Sequence, residues 1–361
     1  MGLDQYVTLG RSGLRVSPLC LGAMTFGTEW GWGSDVSTSE RILDVFADRG
    51  GNFIDTANMY TKGHSEAILG DYYAKRPGSR DRAVIATKFM SAMHLGDPNS
   101  GGAGRKSILA ACDESLRRLK TDYIDLYWLH FWDHHTPIDE TMRALDDLVR
   151  AGKVRYVGFS DTPAWKTAQA QTLAELRGWE KLIALQIEYS LVERSVEDEL
   201  VPMARELGLG ITPWSPLKGG ILTGKYTRES VPPEGERRYD ENSKYLTERT
   251  FTIIDELVRV AGALGRTPAE VALAWCLGRP GVDSVIIGAR TMEQLEANLK
   301  SAEFTLSEAD AAALDEASAR EPIFPASFLP MTKHIFAGGT TINGEESTAW
   351  GNAPQNDSER F

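Results

Sequence analysis

The chain has 361 residues, of which 42% are hydrophobic and 25% are charged, as in an ordinary soluble globular protein. Its 39 basic and 51 acidic residues give a formal net charge of −12, which argues against general nucleic-acid binding because that function needs a basic surface. A local basic pocket for an anionic cofactor is compatible with this charge.

Three widely spaced cysteines, Cys20, Cys112 and Cys276, form no CxxC pair, so the sequence predicts neither a disulfide framework nor a zinc site. No apolar run approaches the roughly 18 residues of a transmembrane helix, and no basic segment followed by an apolar core opens the chain. We therefore expect a cytoplasmic protein with reduced, mostly buried thiols and with no metal and no membrane partner.

In chain order, two short strands joined by a turn are predicted within residues 6–17, and strands and helices then alternate. The predicted strands lie at 19–22, 53–55, 83–88, 123–130, 154–160, 182–186, 209–214 and 282–288, and the predicted helices at 37–49, 65–74, 106–119, 139–151, 164–176, 196–207, 247–264, 268–277 and 292–299. This alternation predicts a single α/β domain over residues 1–320, a (β/α)8 TIM barrel. A doubly wound sheet is the alternative, but it requires a GxGxxG turn after the first strand, and the sequence has none there.

Two segments depart from this pattern. Residues 218–244 form a long polar loop, and loops of that length are usually functional. Residues 321–361 are interrupted by prolines and glycines, so we expect an extended tail in which Phe324, Phe328 and Phe336 are apolar anchors. This tail is predicted to pack in part over the barrel mouth and to fray beyond about Trp350.

Polar residues stand at the ends of strands two to eight, where the chemistry of a barrel lies. They are Asp55, Lys88, His130, Ser160 with Asp161, Gln186, Trp214 and Arg290. Each alone has an ordinary structural explanation, such as a capping aspartate or a satisfied core histidine. Their joint placement on one rim favours a functional site.

Asp55, Lys88 and His130, together with Tyr60, suit carbonyl reduction. The pKa of a free tyrosine is about 10. A Lys88 ammonium beside Tyr60 would lower that pKa by about 1–3 units. Asp55 would hold Lys88 charged, His130 would donate to the substrate carbonyl oxygen, and Tyr60 would protonate the developing alkoxide. Alternatively, Lys88 could form a Schiff base in an aldolase.

With these residues in place, the chain resembles the aldo-keto reductases over residues 6–320. The motifs that carry the resemblance are Asp55-Thr56-Ala57 with Tyr60, Gly63-His64-Ser65-Glu66, and Leu69-Gly70, and the family's lysine and histidine match Lys88 and His130. Residues 158–165 look most like the aryl-alcohol-dehydrogenase-like branch. The resemblance implies an NADP-dependent enzyme that reversibly reduces an aldehyde or ketone. Since the family also includes channel-associated subunits, a regulatory cofactor-binding protein is a second alternative.

The resemblance further implies the NADPH site. Ser160 and Gln186 match residues that hold the nicotinamide carboxamide, and Trp214 matches the aromatic residue that stacks on the ring. The remaining matches are Ser215, Pro216, Leu217 and Gly219 at the pyrophosphate, and Gly288, Ala289, Arg290, Gln294 and Asn298 at the adenosine phosphate. Independently, a helix start beside Arg290 suits a 2′-phosphate, so we expect NADPH rather than NADH.

Asp161 departs from the family, most of which carries asparagine after this serine. An ionised carboxylate can only accept hydrogen bonds, so Asp161 could serve only the NH₂ of the carboxamide. The alternative role is a cap on the helix that begins near Pro163.

The substrate pocket is predicted to be apolar and able to take an aromatic or bulky carbonyl compound. The residues predicted to line it are Phe26, Trp30, Trp32, Met59, Phe89, Trp128 and Trp132. The expected partner of the chain is thus a small carbonyl or alcohol substrate.

Overall fold

The computed structural model describes residues 2–229 and 244–360. Its centre is an eight-stranded sheet in which the first seven strands pair in parallel in chain order, and the eighth strand pairs in parallel with the first. The strands are Leu19–Gly22, Phe53–Asp55, Val84–Phe89, Ile124–Leu129, Val154–Ser160, Leu182–Glu188, Gly210–Trp214 and Val285–Gly288.

The ring closes between the seventh and eighth strands. Ile211 donates its N–H to the carbonyl of Gly281 and accepts from the N–H of Asp283, both at 3.0 Å. These bonds complete a (β/α)8 barrel, which confirms the predicted fold and excludes a doubly wound open sheet.

Helices pack around the outside of this barrel. They are Val36–Asp48, His64–Ala74, Arg105–Leu119, Ile138–Arg150, Ala164–Arg177, Leu200–Leu207, Glu248–Leu264, Pro268–Leu277, Met292–Leu299 and Glu308–Ala317. The sequence sets their ends: the Asp35 carboxylate accepts from the Thr38 N–H at 2.7 Å at the first helix, and Gly178 ends the fifth with φ 65°. The helix at Glu308–Ala317 was not predicted.

A hairpin of Val7–Thr8 and Arg15–Val16 closes the amino-terminal end of the barrel. Leu9 and Val16 are fully buried there in one cluster with interior barrel residues. Gly10 lies so close to the wall that a Cβ atom would come within 2.2 Å of the Ile183 carbonyl oxygen, so only glycine fits. Its N–H donates to the Asp283 carboxylate at 2.7 Å, which ties the hairpin to the seam.

Alternation along the strands places the polar residues at the opposite end. Phe53 and Ala86 belong to the apolar interior cluster beside the hairpin. Asp55 and Lys88 follow them by two residues and therefore point to the same interior, one layer nearer the carboxyl ends. His130 directly follows the fourth strand, Ile124–Leu129, at the same end.

The predicted tail is partly wrong. Leu329–Phe336 is a helix and Thr341–Ile342 pairs with Glu345–Glu346, although we expected an extended chain. The rings predicted to anchor this tail are exposed rather than buried, at 78, 45 and 72% for Phe324, Phe328 and Phe336. Cover of the barrel mouth by the tail stays a prediction.

Of the predicted loop at 218–244, residues 230–243 lie outside the described part of the chain. Its first residues, Lys218–Thr223, form 3-10 turns. All three cysteines are free and buried, as expected. Within residues 2–229 and 244–360, none of the helices combines the length and apolarity needed to span a bilayer.

Candidate active site

The site is organised around the Lys88 ammonium, which is buried near the carboxyl end of the third strand with 1% of the residue exposed. Its Nζ donates to Asp55 Oδ1, to the carbonyl of Thr56 at 2.9 Å and to Tyr60 Oη at 3.1 Å. The other carboxylate oxygen of Asp55 accepts from Gln186 Nε2 at 3.0 Å. The buried pair therefore has every close partner it needs to remain ionised.

The pKa values of this cluster follow from burial and from the ion pair. Burial alone would lower the pKa of Lys88, but Asp55 and Tyr60 outweigh it and raise that pKa above its ordinary value. Burial raises the pKa of Tyr60, while the charge and hydrogen bond of Lys88 act in the opposite direction. The predicted net lowering of the Tyr60 pKa is therefore wrong, because loss of hydration exceeds the effect of the ammonium.

His130 lies beside this cluster, with its ring centroid 5.9 Å from that of Tyr60 in an edge-to-face arrangement. Burial, with a further contribution from the Lys88 charge, lowers the pKa of His130 from 6.5 to about 3. Its Nδ1 is buried and has no hydrogen-bond partner among the described residues. The imidazole is thus neutral at physiological pH and can offer a hydrogen bond to a substrate without carrying charge.

Of the predicted substrate pocket, Trp30 lies against Tyr60 and Trp32 packs on Trp30. The Trp30 ring centroid is 6.2 Å from that of Tyr60 and 5.7 Å from that of Trp32. Met59 is partly buried and accepts a hydrogen bond from Ser91 Oγ at 2.9 Å. Trp132 packs against Trp165, with ring centroids 5.5 Å apart.

Three other predicted pocket residues belong to the core. Phe26, Phe89 and Trp128 have no exposed surface. Phe89 stacks on Tyr127 in the layer between strands and helices, while Trp128 fills the interior near the hairpin. Their assignment to the pocket is wrong, because a fully buried ring has no surface for a ligand.

On the far side of the mouth, Trp214 ends the seventh strand and donates its indole N–H to Asp161 Oδ1 at 3.0 Å. Asp161 adopts φ 41°, and its own N–H donates to the carbonyl of Gln186 at 3.2 Å. Asp161 is exposed at the rim, but the surrounding protein removes part of the hydration of its carboxylate and raises its pKa to about 6, and the hydrogen bond from Trp214 opposes this shift. The fifth helix has no side-chain cap, so the proposed capping role of Asp161 is wrong.

Ser160 is buried at the end of the fifth strand, next to Asp161. Beyond Trp214 the backbone turns through left-handed conformations at Ser215, Lys218 and Gly219, with φ of 52°, 46° and 62°. Pro216 and Leu217 lie within this turn. Successive turns of this kind gather backbone N–H groups into concavities that suit anions.

The third group predicted to bind cofactor, residues 288–298, is held together by its own polar side chains. Gln294 Oε1 accepts from the Arg290 N–H at 2.8 Å, and Asn298 Nδ2 donates to the Gly288 carbonyl at 3.0 Å. The Ala289 carbonyl accepts from Thr25 Oγ1 at 2.8 Å. Gln294 and Asn298 thus support the shape of this segment through its backbone.

The described residues contain no cluster of three or more His, Cys, Asp and Glu side chains suited to a metal ion. A model of the Aldo/keto reductase family matches residues 18–319, which include the whole barrel and the rim just described. The chain belongs to the aldo/keto reductase family. It is accordingly an oxidoreductase, and its family acts on small carbonyl substrates with nicotinamide cofactors.

Similar proteins agree with this aldo/keto reductase assignment. Uncharacterized oxidoreductase YrpG of Bacillus subtilis is 40% identical over 311 residues, covering 84% of this chain and 92% of its own length. Norsolorinic acid reductase stcV of Emericella nidulans is 37% identical over 327 residues, with 88 and 82% covered. Aryl-alcohol dehydrogenase GME11368 of Pestalotiopsis microspora is 36% identical over 323 residues, again with 88 and 82% covered. The predicted likeness to an aryl-alcohol-dehydrogenase-like branch is confirmed.

Sequence reasoning missed two contacts within this reductase site. The Thr56 carbonyl is a third acceptor for Lys88, and Gln186, which was predicted only to bind cofactor, donates to Asp55. Neither had a sequence signal, since a backbone carbonyl carries no residue signature and Gln186 is 131 residues from Asp55. Asn58, between Asp55 and Tyr60, is also buried, and its amide has no partner among the described residues.

Proposed function

We propose that this protein is an NADPH-dependent reductase that converts an aromatic or bulky aldehyde or ketone to the alcohol, reversibly, with Tyr60 as general acid. The single observation that supports this most is the buried Lys88 ammonium bonded at once to Asp55 and, at 3.1 Å, to Tyr60 Oη. A charged ammonium beside a phenol stabilises the phenolate left behind when the proton moves to a substrate oxygen.

Tyr60 keeps its proton until the reaction needs it. Because burial raises its pKa, the phenol is protonated throughout the neutral range. An alkoxide forming from the carbonyl is far more basic than a phenolate, so the transfer from Tyr60 is downhill once charge develops. In the reverse direction, the Tyr60 phenolate beside Lys88 accepts the alcohol proton.

His130 orients the carbonyl. Its pKa of about 3 keeps the ring neutral, so its N–H donates to the carbonyl oxygen without competing with Tyr60 as an acid. Asp55, anchored by Gln186, fixes Lys88 in the position from which it acts on Tyr60.

The residues present fit a phosphorylated dinucleotide. The left-handed turn at residues 215–219 suits a pyrophosphate, and Arg290 stands just before the start of the helix Met292–Leu299. A bound nicotinamide supplies the hydride. The residues proposed to hold the cofactor are Ser160, Asp161, Gln186, Trp214, Ser215, Pro216, Leu217, Gly219, Gly288, Ala289, Arg290, Gln294 and Asn298.

The proposed substrate class rests on the aromatic wall beside Tyr60. Trp30 lies next to Tyr60 and Trp32 packs on Trp30, while partly exposed Met59 and Trp132 belong to neighbouring loops. The relative named aryl-alcohol dehydrogenase supports an aryl substrate. Oxidation of NADPH against a panel of aromatic, polycyclic, sugar and small aliphatic aldehydes and ketones tests this assignment. Equal rates with small aliphatic and aromatic carbonyls would contradict it.

Tyr60→Phe tests the proton donor. The variant is expected to lose about 10²–10⁴-fold in kcat, the usual contribution of a general acid, and to bind NADPH nearly as wild type does. Dissociation constants from calorimetry provide the second readout. A variant that keeps more than half of the wild-type kcat would show that another group donates the proton.

The aldolase alternative is disfavoured by the state of Lys88. A Schiff-base lysine must attack as a neutral amine, whereas the pKa of Lys88 is raised and all three of its donor positions are engaged. Borohydride trapping of a carbonyl compound on Lys88 would favour the aldolase. Repeated turnover of NADPH with a carbonyl substrate would contradict a purely regulatory role.

A further inference from the structure

A surface cavity of about 270 Å³ lies at the outer end of the proposed adenosine segment. Two arginines from distant parts of the chain share it: Arg41 of the first helix and Arg290 after the eighth strand. The remaining lining residues are Thr38, Thr291, Met292 and Glu293. The sequence pointed to Arg290 but gave no reason to select Arg41.

Among the described residues, neither guanidinium forms an ion pair. Within residues 2–229 and 244–360, no carboxylate lies within 4.0 Å of the side-chain nitrogens of Arg41 or Arg290. By contrast, Arg49 at the carboxyl end of the same first helix pairs with Glu296 of the helix Met292–Leu299 at 3.0 Å. In a chain with net charge −12, two neighbouring arginines without carboxylate partners mark a place where an anion is favoured.

Among the described residues that line this cavity, Glu293 is the one that is acidic. Its own backbone N–H and the Thr291 hydroxyl lower its pKa most, and Arg41 lowers it slightly further. The carboxylate is therefore bonded mainly to the start of its own helix. With two positive charges and one negative, the lining keeps a net charge of +1.

We infer that Arg41 is a second specificity residue for the cofactor, and that it binds the 2′-phosphate of NADPH together with Arg290. This inference rests on the proposed NADPH-dependent function. Since the first helix packs against the helix Met292–Leu299, the two arginines line one cavity before the cofactor arrives. A phosphate with several acceptor oxygens can bond to both.

Binding of NADPH and NADH, measured by calorimetry without any substrate, tests the inference. Arg41→Ala is expected to weaken NADPH binding about three- to tenfold, less than a buried charged hydrogen bond would give because Arg41 is exposed, and to leave NADH within about twofold. Arg41→Lys keeps the charge and is expected to retain part of the affinity. Arg49→Ala, the matched control on the same helix, removes an ion pair outside the cavity and should not change the NADPH to NADH ratio.

The outcomes separate this inference from the proposed function. If Arg290→Ala loses NADPH selectively and Arg41→Ala does not, the function stands and the role of Arg41 is wrong. Equal weakening of both cofactors by Arg41→Ala would show a general effect on the fold and would also overturn it. A wild-type protein that binds NADPH no more tightly than NADH would overturn both claims.

Discussion

Acid stability offers a direct test of the environment of His130. The pKa of this imidazole falls from 6.5 to about 3 on folding, because the buried ring loses its hydration and lies near the Lys88 charge. Above pH 6.5 the ring is neutral in both states and its full contribution to stability is present. Below that pH the unfolded chain binds the proton first, so stability is lost as pH falls from 6.5 towards about 3.

The size of the effect follows from the two pKa values. A pH of 5 is about 1.5 units below the pKa of the imidazole in the unfolded chain. This difference corresponds to a loss of about 2 kcal/mol in the free energy of unfolding. Urea unfolding of wild type and His130→Gln at pH 7 and pH 5 measures it, since glutamine does not titrate and the other groups are common to both proteins. Wild type should lose about 2 kcal/mol more than the variant between the two pH values. An equal loss in both proteins would show that His130 is not held neutral by burial.

Further predictions concern the buried ion pair, the rim carboxylate and the tail. Lys88→Met should lower the free energy of unfolding by about 3–5 kcal/mol in urea, because it leaves the Asp55 carboxylate buried and unpaired. Adding Asp55→Asn should recover most of that loss. If the losses of the two single variants simply add in the double variant, the two residues are not a coupled pair. Asp161→Asn keeps an oxygen acceptor for the Trp214 indole but removes a negative charge, so NADPH should bind more tightly relative to NADP⁺ at pH 8 with little change in Tm. An unchanged ratio of the two calorimetric dissociation constants would exclude an effect of this carboxylate on the cofactor. Truncation after Ala319 should leave a folded barrel by circular dichroism and raise KM for bulky substrates; unchanged KM values across the substrate panel would refute the lid.

The barrel and the centre of its site could be read from the sequence because both follow from alternation. An apolar run marked each strand. Because side chains alternate along a strand, a polar residue at its end points into the barrel mouth if the residue two positions earlier faces the interior. That reasoning places Asp55 and Lys88 correctly. The same rule, applied strictly, would have removed Phe89, since the neighbour of an inward-facing Lys88 must point outward to the helices.

Other features depended on distances that no local pattern contains. The sign of the Tyr60 pKa shift is set by how much water burial removes, and the sequence holds no measure of that. The bond from Trp214 to Asp161 joins residues at the ends of different strands, and the cavity shared by Arg41 and Arg290 joins opposite ends of the barrel sequence. The tail helix at Leu329–Phe336 carries a proline in its first turn, which the sequence reading took as a break although proline is tolerated there.

The hydrogen bond from Gly10 to Asp283 has a consequence for the order in which the chain folds. These residues are 273 positions apart, and the carboxylate that holds the hairpin belongs to the segment that also closes the seam. During synthesis, the first seven strands emerge before the segment around Asp283 exists. Until then the hairpin lacks its carboxylate acceptor, and the seventh strand lacks its partner at the seam. The open sheet edge and the underside of the interior therefore stay unprotected until residue 283 has been made. Contacts between such distant residues form slowly, so the edge of the seventh strand stays exposed for a long time and can pair with other chains. We therefore expect the protection of this edge, rather than helix formation, to limit the yield of folded protein.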